Sequence, residues 1–155
     1  MKNKKFRIYV DTSVIGGCLD DEFSNESNRL LKAAREKKII FVVSDMVLRE
    51  LLTAPKEVRD VYESIPDESI ELLAESIEAI NLANAYVVAK VVTAKSQNDA
   101  VHVAYATIAR VDAIVSWNFK HIVRLGRMKG YNRVNFERGY GILEIVSPKE
   151  VETDE

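Results

Sequence analysis

Three acidic residues stand where a carboxylate could take part in chemistry. Asp11 directly follows a short apolar run rich in β-forming residues. Glu50 lies on the flank of the apolar stripe of a helix that follows a second such run, and Asp99 interrupts a helix that is otherwise apolar on every side. Three carboxylates at one place repel one another unless a cation neutralises them. Mg²⁺ and Mn²⁺ prefer oxygen ligands, polarise phosphates and acidify bound water, so the pattern indicates phosphodiester hydrolysis.

Each of the three acids also has a structural explanation. An aspartate after a strand often forms a turn with nearby backbone amides, and an acid on a helix flank is usually solvated. An acid in the first helical turn, as at Asp99, suits the helix dipole. His102, one turn after Asp99, fits either a hydrogen-bonded core histidine or a partner that orients a metal ligand. The metal-site hypothesis therefore requires that residues 11, 50 and 99 converge in space.

The elements that would position these residues can be predicted from apolar runs. Four runs are near-continuously apolar, as expected of parallel strands that are buried on both faces, and a fifth is weaker. The intervals between them have helical spacing, which predicts a three-layer α/β/α sandwich with a mostly parallel sheet, where ligands gather at the carboxyl edge. The predicted strands are residues 6–10, 39–43, 113–117, 142–146 and the weaker 70–74; the predicted helices are 24–37, one that begins after the N-cap Ser44, 76–92 with Ser76 as N-cap, and 97–110.

Length and composition exclude several classes of protein. The 155 residues, 47% hydrophobic and 30% charged, predict one globular domain over residues 1–150, followed by an acidic tail over 151–155. The single Cys18 cannot form an intrachain disulfide, and two histidines are too few for a Cys/His zinc site. No run approaches the roughly eighteen apolar residues of a membrane span, and the N-terminus lacks an apolar signal core, so we expect a cytoplasmic protein without a membrane partner.

Charge is distributed unevenly along the chain, although its net value is only −2. Residues 44–80 carry ten acidic residues against three basic ones, and residues 118–138 carry six basic residues against one acid. The basic stretch could contact the phosphates of a nucleic acid or the acidic groups of a partner protein. It also fits an ordinary solvated helix face.

Four segments together resemble the PIN-domain family, and most closely its toxin-type, VapC-like members. They are Val-Asp-Thr-Ser at 10–13, Arg-Glu-Leu at 49–51, Asn-Asp-Ala-Val-His-Val-Ala at 98–104 and Ser-Trp-Asn-Phe-Lys-His at 116–121. The resemblance implies a Mg²⁺- or Mn²⁺-dependent endoribonuclease whose metal ligands are Asp11, Glu50 and Asp99. It also implies an RNA substrate, a homodimer and, for the toxin-type members, a small antitoxin protein as partner.

One position departs from this family pattern. Many relatives carry an acid after the fourth strand, where this chain has Asn118. Asp112 cannot replace it, because five strand residues place Asp112 about 16 Å from the carboxyl edge. We expect Asn118 to offer a carbonyl oxygen or hold a metal-bound water, with weaker binding of any second metal.

Five further residues are candidates for supporting roles. Ser13 could orient Asp11 or form a simple turn bond, and His102 could orient a ligand as described above. His121 could approach the phosphate or lie on a helix surface. Lys120 and Arg124, in the basic stretch, could contact the RNA backbone, whereas Trp117 is expected to lie in the core rather than to stack on a base.

The sequence therefore favours an endoribonuclease that prefers single strands and uses Asp11, Glu50, Asp99 and Asn118. A catalytically weak or inactive PIN-like module that binds RNA or has a regulatory role is the main alternative. A phospho-accepting receiver domain fits less well, since Asp11 lacks a neighbouring acid. A phosphatase with an aspartate nucleophile also fits less well, because Ser13 stands where a second acid is needed.

Overall fold

A five-stranded parallel sheet forms the centre of the protein, as a computed structural model of residues 4–152 shows. The strand order is β3-β2-β1-β4-β5. The predicted parallel sheet is confirmed, and the weak fifth run is its edge strand β3. The strands are β1 (Arg7–Val10), β2 (Ile40–Ser44), β3 (Ile70–Leu73), β4 (Ala113–Val115) and β5 (Ile145–Val146).

Seven α-helices connect these strands in the described part of the chain. Helices α1 to α4 contact one another, and α5 to α7 form a second group around α5. Because parallel crossovers are right-handed and the strand order reverses at β1, the two groups cover opposite faces, which gives the predicted three layers. The helices are α1 (Thr12–Gly17), α2 (Ser24–Arg35), α3 (Asp45–Leu52), α4 (Lys56–Glu63), α5 (Ile77–Val88), α6 (Gln97–Ile108) and α7 (Leu125–Glu137).

Several predicted boundaries differ from those in the structure. The strand predicted over 113–117 ends at Val115, and the one over 142–146 is paired only at its last two residues. Helices α1, α4 and α7 have no counterpart in the sequence prediction. In α7, glycines and asparagines interrupt the apolar periodicity, which explains why that helix is missed.

The two predicted helix caps have different outcomes. Ser76 caps α5, because its hydroxyl accepts a hydrogen bond from the backbone N–H of Ala79 at 3.1 Å. Ser44 is the N-cap residue of α3, as predicted, but its side chain makes no capping hydrogen bond. Its buried hydroxyl bonds the Tyr9 hydroxyl at 2.7 Å instead.

The strand order reverses between β1 and β4, which both run to the same carboxyl edge. In open parallel sheets such a switch point leaves a crevice where ligands bind. Asp11 follows β1 directly and Ser116 follows β4 directly, so both border this crevice. Asp112 lies at the opposite edge, as the sequence predicts, and its carboxylate accepts a hydrogen bond from the Arg7 backbone N–H.

The structure describes residues 4–152 and leaves out three residues at each end of the chain. Residues 1–3, where the absence of a signal segment is predicted, and 153–155 of the predicted acidic tail lie outside the described residues. Of that tail, the carbonyl of Val151 accepts a hydrogen bond from Arg29. Within residues 4–152, no helix is long and apolar enough to cross a bilayer. The single-domain boundary at residue 150 stays a prediction.

Trp117 fixes the loop that follows β4. It is 5% exposed, stacks on Phe23 with ring centres 4.1 Å apart, and donates to the Ser27 hydroxyl at 2.8 Å, which confirms its predicted core position. Gly17 lets α1 approach this contact. A Cβ atom at Gly17 would lie 2.5 Å from the Ser27 hydroxyl oxygen and 2.8 Å from the indole nitrogen, whereas one at Gly16 would meet nothing within 4 Å.

We therefore expect Gly17→Ala to lower the free energy of unfolding by about 2 kcal/mol through overpacking. Gly16→Ala, in the same helix, should be neutral or raise it by about 0.5 kcal/mol because alanine has the better helix propensity. Urea denaturation followed by tryptophan fluorescence measures both. Equal stability of the two variants would show that the contact between α1 and Trp117 does not constrain the fold.

Candidate active site

Asp11 is the most deeply buried carboxylate of the site, with 6% of its surface exposed. Its Oδ1 accepts a hydrogen bond from the Ser13 hydroxyl and its Oδ2 from the Ser116 hydroxyl, both at 2.5 Å. The Ser13 oxygen in turn accepts the backbone N–H of Trp117 at 3.0 Å. Charge-assisted bonds of this kind offset part of the cost of burying a carboxylate. The two serines therefore hold Asp11 between the ends of β1 and β4.

Glu50 is half-buried on α3 and faces the same crevice. Its Oε1 accepts hydrogen bonds from the Thr12 hydroxyl at 2.7 Å and from Nε2 of His102 at 3.1 Å. Burial alone would raise the pKa of Glu50, but the hydrogen bond and charge of His102, together with the Thr12 bond, lower it below its usual value. Glu50 is therefore held in its ionised form.

His102 connects the site to the core. It is 3% exposed, and its Nδ1 lies 2.7 Å from the Tyr9 hydroxyl, which also bonds Ser44. Since the Glu50 carboxylate can only accept, Nε2 carries the proton and, in the neutral ring, Nδ1 accepts from Tyr9. Burial lowers the pKa of His102, but the Glu50 hydrogen bond and the nearby carboxylates raise it overall. His102 is thus both a core histidine and a direct partner of Glu50.

Asp99 lies half-buried in the first turn of α6. Its Oδ1 accepts a hydrogen bond from the side-chain amide of Asn118 at 2.9 Å. Its pKa is raised, first by burial and also by the negative charges of Asp11 and Glu50, although His121 and His102 act in the opposite direction. The three predicted acids therefore lie within electrostatic reach of one another at one edge of the sheet.

Asn118 is fixed at both ends of its side chain. Its carbonyl oxygen accepts the backbone N–H of His121 at 2.9 Å, and its role toward a metal or a metal-bound water stays a prediction. That bond directs the NH₂ group to Asp99, and the backbone N–H of Asn118 donates to the Ser116 hydroxyl at 2.9 Å. Asn118 therefore acts as a donor that orients a carboxylate.

Three predicted residues of the described chain, Lys120, His121 and Arg124, make no hydrogen bond with their side chains to the site carboxylates. His121 is half-buried, with its Nδ1 3.4 Å from the Ser96 hydroxyl, and it contributes to the electrostatics of Asp99. Lys120 and Arg124 are exposed, and their side chains make no hydrogen bond to another residue in the 4–152 range. Their side chains are thus free of the constraints that hold the carboxylates.

The donor set has the chemistry of a hard-cation site. Oε2 of Glu50 and Oδ2 of Asp99 accept no hydrogen bond from the residues that the structure describes. Both oxygens of Asp11 accept one bond, which leaves each a further lone pair. Carboxylate oxygens suit Mg²⁺ or Mn²⁺. Even so, no group of three or more His, Cys, Asp or Glu side chains in residues 4–152 is already arranged to hold a metal.

Three residues of this network received no role from the sequence, namely Tyr9, Thr12 and Ser116, and a fourth, Ser44, was predicted only as a helix cap. Thr12 and Ser116 adjoin the ends of β1 and β4, so a hydroxyl next to the crevice is a signal that could have identified them. Tyr9 lies inside β1, where nothing in the sequence distinguishes it from a core residue.

Asp99→Asn tests whether the carboxylates repel one another. Because the pKa of Asp99 is raised in the fold, its ionisation reduces stability as the pH rises through that pKa. At pH 7, without divalent ions, the variant should be more stable than wild type by about 1 kcal/mol. This difference should disappear below the usual pKa of an aspartate, where both proteins are uncharged at residue 99.

Urea denaturation at pH 7 and pH 3.5 measures the effect, with Asp21→Asn, at an exposed position, as the control. Mg²⁺ or Mn²⁺ should stabilise wild type more than Asp99→Asn. A variant that is less stable than wild type at neutral pH would contradict mutual repulsion within the site.

Comparison with known families identifies one match over most of the chain. Residues 7–120 match the family model for the PIN domain. This range contains all four carboxylate and amide residues described above. The comparison with curated proteins finds no match.

Two solved structures have a similar fold at low sequence identity. One is the Mycobacterium tuberculosis toxin VapC20, described as cleaving the sarcin–ricin loop, with a TM-score of 0.55, 14% identity and coverage of 88% of this chain and 98% of that one. The other is VapBC2 from Rickettsia felis, bound to a DNA fragment from the VapBC2 promoter. It has a TM-score of 0.56 and 12% identity, and the match covers 92% of this chain and 98% of that one. At these identities the likeness shows a shared fold.

Proposed function

Because this chain belongs to the PIN-domain family, as residues 7–120 show, we propose that it is a Mg²⁺- or Mn²⁺-dependent endoribonuclease that hydrolyses RNA phosphodiester bonds. One observation carries the proposal. Asp11, Glu50 and Asp99 border the switch point of the sheet, and each contributes to the electrostatics of their shared neighbour His102. Family membership also disfavours the receiver-domain and phosphatase alternatives.

The chain's own residues would prepare this site for a cation. Asp11, Glu50 and Asp99 would hold Mg²⁺ or Mn²⁺, which would neutralise charge on the phosphate and acidify water in the crevice. Serine hydroxyls orient Asp11, Thr12 and His102 orient Glu50, and an amide orients Asp99. These donors hold one oxygen of Glu50 and of Asp99 and leave the second for a ligand.

The likeness to VapC structures supports a narrower proposal. We infer a nuclease of toxin type that prefers single-stranded RNA and is paired with an antitoxin protein; homodimer formation belongs to the same proposal. The support is the shared fold with a toxin and with a toxin–antitoxin complex. Location in the cytoplasm, where such a partner and substrate would meet, stays a prediction.

A binding or regulatory module of the same fold is the second candidate. Two observations favour it: the position after β4 holds the neutral Asn118, where the family resemblance implies an acid, and both Asp11 oxygens already accept hydrogen bonds. Such a module would bind RNA but hold the cation too weakly for turnover. It predicts RNA binding without cleavage across a series of Mn²⁺ concentrations.

Cleavage of a mixed RNA substrate tests the two candidates. We expect wild type to cut with Mg²⁺ or Mn²⁺ and to stop with chelator, and Asp11→Asn or Asp99→Ala to lose at least about 100-fold in rate because a ligand is removed. Gel analysis of 5′-labelled RNA measures the rate, and Asp21→Asn serves as the matched surface control.

The outcomes separate the candidates. Full activity in Asp11→Asn would reject the site assignment. If wild type binds RNA without cutting it and Asn118→Asp restores cutting, the inactive-module candidate is correct.

A further inference from the structure

A basic groove lies between the end of α5 and the face of α7. It has a volume of about 550 Å³. Its lining includes four basic side chains, Lys90, Arg124, Arg127 and Arg133, and one acidic residue, Glu137. Such an excess of positive charge in a concave surface favours a ligand that carries several negative charges.

The floor of the basic groove is built by close packing of α7 against the side chain of Val91. A Cβ atom at Gly130 would lie 2.9 Å from Val91 Cγ1, so glycine is needed for α7 to approach the segment after α5. Arg127 donates to the Val91 carbonyl, and Lys90 adopts a positive φ of 63° at the turn that ends α5. The floor is therefore defined by fixed contacts, whereas Arg124 and Arg133 are exposed around it.

The charges on α7 run against the preference of a helix. Arg124 and Arg127 lie at its N-terminal end and Glu137 at its C-terminal end, whereas the helix dipole favours the opposite arrangement. Gly126, where a Cβ atom would meet nothing within 4 Å, adds a further cost of about 1 kcal/mol relative to alanine. Residues that lower the stability of a helix are expected where its surface binds a ligand.

The basic groove is connected to the candidate active site. Arg124 follows the loop that carries Asn118 and His121, and the buried Tyr131 of α7 donates to the His121 carbonyl at 2.8 Å. Burial raises the pKa of Tyr131, Asp99 raises it further and Arg127 lowers it. Tyr131 thus lies within electrostatic reach of one group from the site and one from the groove.

We propose that the basic groove binds backbone phosphates of a single-stranded RNA whose cleaved bond lies in the crevice, an inference that rests on the proposed function. The described residues that line it include no aromatic side chain on which a base could stack. Lysine and arginine contacts to phosphates position a strand without selecting its sequence. The groove therefore determines affinity for longer RNA, and base preference must arise elsewhere.

Binding of a fluorescent 12-nucleotide RNA, measured by anisotropy in the presence of chelator, tests the proposal without cleavage. Arg124→Gln/Arg133→Gln removes two charges from the groove. Lys129→Gln/Arg138→Gln removes two charges from exposed positions of α7 and its C-cap, outside the groove lining, and is the matched control. Gly126→Glu adds a bulky negative side chain where a Cβ atom would meet nothing within 4 Å, and Gly126→Ala is its control.

We expect the groove double variant and Gly126→Glu to bind the RNA about tenfold more weakly, and both controls to bind within twofold of wild type. In a plot of the logarithm of the binding constant against the logarithm of the salt concentration, the slope for the groove double variant should be shallower than that of wild type by about 1.4. Each lost phosphate contact on single-stranded nucleic acid accounts for about 0.7 of this slope. Melting curves establish that each variant is folded.

Binding by the groove variants equal to that of wild type would overturn the proposal, as would equal losses in the groove and control pairs. Groove-dependent binding of polyglutamate without RNA binding would also overturn it, in favour of an acidic protein partner. Failure of the nuclease proposal gives a different result, namely groove-dependent RNA binding by a wild type that never cleaves with Mn²⁺. Failure of the groove alone leaves wild-type cleavage intact.

Discussion

Negative charge confined at the switch point of the sheet is the constraint on which the site depends. Asp11, Glu50 and Asp99 share one crevice, and burial acts to raise the pKa of Glu50 and of Asp99. The protein meets the cost of this burial with donors: two serine hydroxyls for the first, a threonine and a histidine for the second, and an asparagine amide for the third. These donors come from residues far apart in sequence, so the charged cluster can form only in the folded sheet.

The strands and the residues at their carboxyl edge can be predicted from the pattern of apolar runs in the sequence. Continuous apolar runs predict buried parallel strands, and parallel strands bring the residues that follow them to one edge. Asp11 and Asn118 are therefore predictable as neighbours. His102 shows where this reasoning stops: its place on an all-apolar helix indicates burial, but its bonds to Glu50 and Tyr9 depend on how α3 and α6 pack against β1.

The features that sequence could not supply share a physical cause. A serine beside an aspartate is common, and only the register between β1 and β4 decides that Ser116 reaches Asp11. Helix α7 lacks a clear apolar stripe because glycines, asparagines and arginines occupy positions that a packing helix would give to leucine or alanine. The same composition that hides the helix from periodicity produces the open, positively charged side of the basic groove.

The neutral side chain of Asn118 orders the site without adding a fourth negative charge. The backbone N–H of His121 requires an acceptor, which turns the Asn118 carbonyl toward it and the amide toward Asp99. An aspartate at this position would satisfy the same backbone N–H, but its second oxygen would face Asp99 as a fourth negative charge. Such a site would need a cation to hold its carboxylates together. With asparagine, Asp99 is oriented by a hydrogen bond alone, so the crevice stays ordered without the cation and attracts it less strongly. In the proposed nuclease, metal binding would therefore rest on the carboxylates of Asp11, Glu50 and Asp99 alone.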